Sequence, residues 1–72
     1  MDPYKRLREL LVRERKRAGL SQAELAAKLG KPQSYVSKCE LGERRVDVVE
    51  FVEIADALGA DAAALVGELR RR

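Results

Sequence analysis

The sequence predicts an all-α chain of five short helices. Three observations carry that expectation. Apolar residues recur three and four positions apart in each of five segments. Ser21 with Glu24 and Asp47 with Glu50 repeat the spacing of a capping box, the reciprocal arrangement that opens helices. Gly19, Gly30, Gly42 and Gly59 stand where the apolar patterns stop. Seventy-two residues make one small domain spanning 1–72. At that size only about 60% of the unfolded surface is buried, so stability depends on short helices packed economically or on a partner.

The first helix is expected to open with Asp2 as cap and Pro3 at the first helical position, where a missing N–H costs nothing. Tyr4, Leu7, Leu10, Leu11 and Ala18 give it an inward face, and Lys5, Arg6, Arg8, Arg13, Lys16 and Arg17 form a solvated outer one. Leu20 then packs into the core, and Ser21–Leu29 forms the second helix, with Leu25, Ala26 and Leu29 on one face. After a turn at Gly30 the third helix runs from about Pro32 to Glu40. Val36 and Cys39 are its only inward residues, which leaves Gln33, Ser34, Ser37 and Lys38 pointing out. Such a helix is built to touch something. Asp47 opens the fourth helix, whose wide apolar face comprises Val48, Phe51, Val52, Ile54, Ala55 and Leu58. Asp61 caps the fifth, from Ala62 to about Leu69, with Leu65, Val66 and Leu69 along one side and Arg70–Arg72 as a frayed tail.

The stretch from Ser21 to Glu40 resembles the helix-turn-helix of the Xre/Cro-type, lambda-repressor-like family. The matching positions are Gln22, Ala26, Gly30, Val36 and Cys39, followed by Gly42 and by Ile54 to Gly59. Together they cover nearly the whole chain in the right order. Lys31 departs from the pattern, since many members have an apolar residue there. The resemblance implies a compact five-helix domain whose third helix enters the major groove of double-stranded DNA.

Roles follow residue by residue from that resemblance. Gln33, Ser34 and Lys38 occupy the base-reading positions, with Ser37 beside them. Gln33 suits adenine N6/N7, and Lys38 suits guanine O6/N7. Gln22 is in the family a backbone ligand, Lys31 helps hold the backbone, and Arg44 and Arg45 are phosphate candidates or simply surface charge. Tyr35 either hydrogen-bonds a phosphate or covers the core. Arg15 and Glu40 would form the ion pair that ties the first helix to the third. One small core does not obviously bury all of Val52, Val66 and Leu69; the family's habit makes these, with Leu65, a two-fold homodimer contact, the alternative being a closed monomer core.

Charge and composition point the same way. Residues 1–45 hold twelve Lys/Arg against six Asp/Glu, whereas residues 46–72 hold three against six. A basic half beside an acidic half is what a polyanion-binding surface leaves in a sequence, although solvated helices also carry charge. The chain has no histidine, no Cys/His or carboxylate cluster at metal-ligand spacing, and no glycine-rich phosphate loop, so an enzyme, a metal site or a cofactor is not expected. Nor is a small-molecule effector. No 18-residue apolar run exists to span a membrane, and the charged N-terminus does not suit secretion. The lone Cys39 fits a reducing cytoplasm, in a bacterial or phage-derived, nucleoid-associated setting.

The reading is therefore a dimeric transcriptional regulator, a repressor at a palindromic operator. The alternative is a regulator whose main partner is a protein, such as the antitoxin of a toxin–antitoxin or restriction–modification system. An RNA binder is disfavoured because only Tyr4, Tyr35 and Phe51 are available for base stacking.

Overall fold

Four of the five helices among the described residues follow a residue whose side chain satisfies the first turn. In the computed structural model, which describes residues 2–71, α1 spans Pro3–Arg17, α2 Gln22–Leu29, α3 Gln33–Leu41, α4 Val48–Ala57 and α5 Ala62–Arg70. The Asp2 carboxylate accepts from the Tyr4 amide at 2.9 Å, and Asp61 accepts from the amides of Ala63 and Ala64. Both expected capping boxes close. The Ser21 hydroxyl accepts from Glu24 N–H at 3.1 Å while the Glu24 carboxylate accepts from Ser21 N–H at 2.8 Å, and Asp47 and Glu50 repeat the exchange. Among the described residues no strand forms.

The turn between α2 and α3 needs a left-handed residue, and Gly30 supplies it at φ +67°. Its amide and that of Lys31 fold back onto the last carbonyls of α2. Pro32 differs from the expectation. It stands outside α3 as an extended N-cap with ψ 155°, and Gln33 becomes the first helical residue. The proline ring fixes φ near −65° in either role, so ψ alone decides, and here the chain is still straightening out of the turn.

One core cluster draws residues from all five helices: Leu11, Leu25, Ala26, Val36, Phe51, Ile54, Ala55 and Leu65. Leu10 and Cys39 are buried beside it. Helix α2 packs on α3 and α4, α1 packs on α3 and α5, and α4 packs on α5. The radius of gyration, 11.2 Å, equals the roughly 11 Å expected of 72 compactly folded residues.

Four expected core positions lie elsewhere. Tyr4, at the first turn of α1, is half exposed with the Arg45 guanidinium stacked 4.5 Å from its ring centroid. Ala18 is the exposed C-cap of α1. Val48 is 78% exposed because it is the first residue of α4, one turn before the core residue Phe51. Val52 is also exposed, at 41%. The tail is shorter than expected: Arg70 closes α5, Arg71 caps it, and Arg72 lies outside the described residues. No helix among those described is long and apolar enough to cross a membrane.

Candidate nucleic-acid interface

The outward side of α3 is set by what its other side buries. Val36 and Cys39, three residues apart, close against the core, and burial pushes the Cys39 thiol above its ordinary pKa. Gln33, Ser34 and Lys38 are consequently exposed, while Ser37 is half buried. Ser34 and Lys38 are four apart and Gln33 and Ser37 are four apart, so the four side chains form two adjacent rows on one face. Leu41 extends the first of these rows and is 66% exposed.

A network of ion pairs and hydrogen bonds fixes α3 to the helices behind it. The Arg15 guanidinium donates to Glu40 through Nε at 2.7 Å and Nη2 at 3.1 Å, and its Nη1 donates to the Leu20 carbonyl at 2.9 Å. Only 12% of the Arg15 side chain and 8% of the Glu40 side chain remain exposed. The Gln22 amide also donates to Glu40, at 2.9 Å. One carboxylate therefore joins α1, the first turn of α2 and the end of α3. The Gln22 contact was not legible in the sequence, where Gln22 carried only the role of a backbone ligand. No local pattern links residues eighteen apart.

The loop after α3 is anchored in the same manner. Glu50 uses one oxygen in the capping box of α4 and the other to hold the Arg44 guanidinium. The Asp47 amide first and Arg44 second hold its carboxyl below the usual range. Arg44 also lies 5.0 Å from the centroid of the Tyr35 ring, with Lys31 Nζ 5.5 Å from the same centroid. Tyr35 is half buried and packs against the core cluster, so the structure assigns it covering contacts and two cationic neighbours. Burial, followed by the charge of Glu50, raises its phenol pKa. Arg44 is thus engaged by a carboxylate, while Arg45 stacks on Tyr4.

Two parts of the molecule depart from the sequence reading. Arg13, expected in solvent, forms a bidentate pair with Glu68 of α5, both contacts 2.8 Å, and also reaches Glu14. This pairing pulls the Glu68 carboxyl down to a pKa of about 2 and raises that of Arg13. Leu65 belongs to the chain's own core at 3% exposure, because it faces α1 and α4 and not outward. It has no surface to offer a second copy. Val66 remains exposed, and Leu69 is half buried along an apolar cleft of about 170 Å³ that Val48 and Phe51 also line. No group of residues able to hold a metal ion occurs among the described residues.

A polar row on a short helix, braced from behind and preceded by a glycine turn from another short helix, is the geometry of a helix-turn-helix. The family model for the helix-turn-helix matches residues 11–65. The chain belongs to the Xre-type helix-turn-helix family. An Xre-family-like protein from Pseudomonas syringae pv. tomato superposes with a TM-score of 0.90 at 49% identity, covering 93% of this chain and 82% of the other. The clp gene regulator ClgR of C. glutamicum superposes at 0.84 with 26% identity, covering 96% and 90%. In sequence, an uncharacterized HTH-type transcriptional regulator of Sinorhizobium fredii, y4dJ, is 38% identical over 66 residues, or 92% of this chain and 86% of that one. The Xre-type family is one of DNA-binding transcription regulators and is not an enzyme class.

Proposed function

We propose that this Xre-type protein binds double-stranded DNA sequence-specifically as a homodimer and represses transcription from a palindromic operator. The observation that carries the reading is the exposed row Gln33, Ser34 and Lys38 on a helix whose opposite face and C-terminus are fixed in the fold. Such a helix meets the major groove already ordered, so little conformational entropy is lost on binding. Gln33 reads adenine and Lys38 reads guanine, with Ser34 and Ser37 as short partners. Gln22 has a second amide N–H free of its Glu40 bond to donate to a phosphate. Lys31 and Arg44 flank Tyr35 and Arg45 lies against Tyr4, and Lys31, Tyr35, Arg44 and Arg45 suit backbone contacts.

Dimerisation uses Val52, Val66 and Leu69, with Val48 added and Leu65 removed from the patch the sequence suggested. A two-fold contact there sets two recognition helices about one DNA turn apart, roughly 34–36 Å. Selection from a random duplex library tests the reading. A two-fold symmetric consensus is the expected product. Enrichment of nothing, with weak binding that vanishes at moderate salt, would rule out sequence reading.

A further inference from the structure

The cations of α1 divide by their partners. Arg13, Arg15 and Arg17 each reach a carboxylate. None of the ion pairs among the described residues includes Lys5, Arg8 or Lys16. With Val12 these three follow spacings of three and four, so they share one side of α1. That side and the exposed end of α3 line an open groove of about 550 Å³, in which Leu41 faces Val12 and the three cations.

The groove begins where the outward row of α3 ends. Ser34, Lys38 and Leu41 follow one another at spacings of four and three, so the apolar end of that row runs directly into the groove. Arg8 lies beside Gly42 at the end of α3. Its guanidinium lies so close to Gly42 that a Cβ there would meet Arg8 Cζ at 2.9 Å, and Gly42 itself sits at φ +83°. Two carboxylates border the groove: Glu40, already engaged by Arg15 and Gln22, and the exposed Glu9.

We propose that this groove holds the sugar–phosphate backbone flanking the bases that α3 reads, so the DNA contact extends from the helix-turn-helix onto α1. The inference rests on the DNA-binding reading above. The ammonium groups of Lys5 and Lys16 and the guanidinium of Arg8 meet phosphate oxygens, while Val12 and Leu41 pack on the deoxyribose carbons between them. Lys5 and Lys16 are separated by about 16 Å of helical rise, long enough to meet more than one backbone charge of a strand, whose charges recur roughly every 3.4 Å of DNA helix axis. An acidic protein segment is the other occupant that this charge would suit.

Two duplexes carrying the selected operator decide the matter. One ends at the outermost base pairs read, and the other extends past them on both sides. The wild-type protein and a Lys5→Ala/Arg8→Ala/Lys16→Ala variant are titrated against each at several salt concentrations, with circular dichroism confirming the variant's fold. The expected result is tighter, more salt-sensitive wild-type binding to the long duplex, each groove contact steepening the log–log slope by about 0.9, or about 3.5-fold between 50 and 200 mM salt. The variant loses that gain and matches the wild type on the short duplex. A Lys5→Arg/Arg8→Lys/Lys16→Arg variant keeps most of it. Equal wild-type binding to both duplexes, or an equal loss by the variant on both, overturns the proposal. Groove residues that instead shift in an NMR titration with a glutamate-rich peptide, without any flank dependence, would overturn it in favour of a protein partner. If the wild type binds neither duplex, the DNA-binding reading fails first and the groove assignment with it.

Discussion

Replacing Glu40 with alanine tests the brace behind α3. The carboxylate accepts from Arg15 at 2.7 and 3.1 Å and from Gln22 at 2.9 Å, and the pair is about nine-tenths buried. Its removal leaves a guanidinium with the Leu20 carbonyl as its remaining hydrogen-bond partner. Stranding one member of a buried pair costs roughly 3–5 kcal/mol. The retained carbonyl contact and the residual exposure of Arg15 place the expectation at the lower end, about 3 kcal/mol. A chain of this size has a total stability of roughly 4–11 kcal/mol. The melting temperature should therefore fall by more than about 12 °C. Urea denaturation of the wild type, Glu40→Ala, Arg15→Met and the double variant separates the terms. Both single variants should be strongly destabilised, and the double variant should recover much of the loss, because apolar replacements of whole buried pairs are often neutral. A Glu40→Ala loss below about 1 kcal/mol, the value of a surface pair, would show that this carboxylate does not brace α3.

Three further outcomes follow from the same contacts. Glu68, held at a pKa of about 2 by Arg13 against an ordinary value of 4.5, contributes stability that is complete above pH 4.5 and is lost as pH falls through about 2; the melting advantage of wild type over Glu68→Gln should be largest at neutral pH and disappear in strong acid. Gly30→Ala has open space for its Cβ but must adopt φ +67°, so equilibrium denaturation should show a loss of about 1–2 kcal/mol from backbone strain alone. Cys39 is buried with a raised thiol pKa, and a disulfide reagent at neutral pH should label it only at the rate of transient unfolding.

Helix boundaries were legible because their signals are local. Asp2, Ser21, Asp47 and Asp61 cap the helices they precede, and Gly30 takes the left-handed turn. The outward row of α3 was legible for a related reason, since only Val36 and Cys39 fit an apolar side. Side-chain partnerships between distant segments were not, apart from Arg15 with Glu40, which the family resemblance implied. Arg13 and Glu68 are 55 residues apart and Gln22 and Glu40 are eighteen apart, and no periodicity brings either pair together. The same holds for the apolar surface: helical spacing grouped Leu65 with Val66 and Leu69, but only the packing of α5 on α1 and α4 turns Leu65 inward and leaves Val66 out. Arg8, by spacing one more solvated cation, acquires a place only through its approach to Gly42.

The exposed row of α3 is proposed to read bases. Affinities of the wild type, Gln33→Ala and Lys38→Ala for every single-base variant of the selected operator test it most directly. Each substitution should abolish discrimination at one position of each half-site, costing about 1–3 kcal/mol for the preferred base there, while preference elsewhere is unchanged. A uniform loss of affinity at all positions, with the consensus intact, would show that these side chains hold the backbone and that the sequence is read from another part of the molecule.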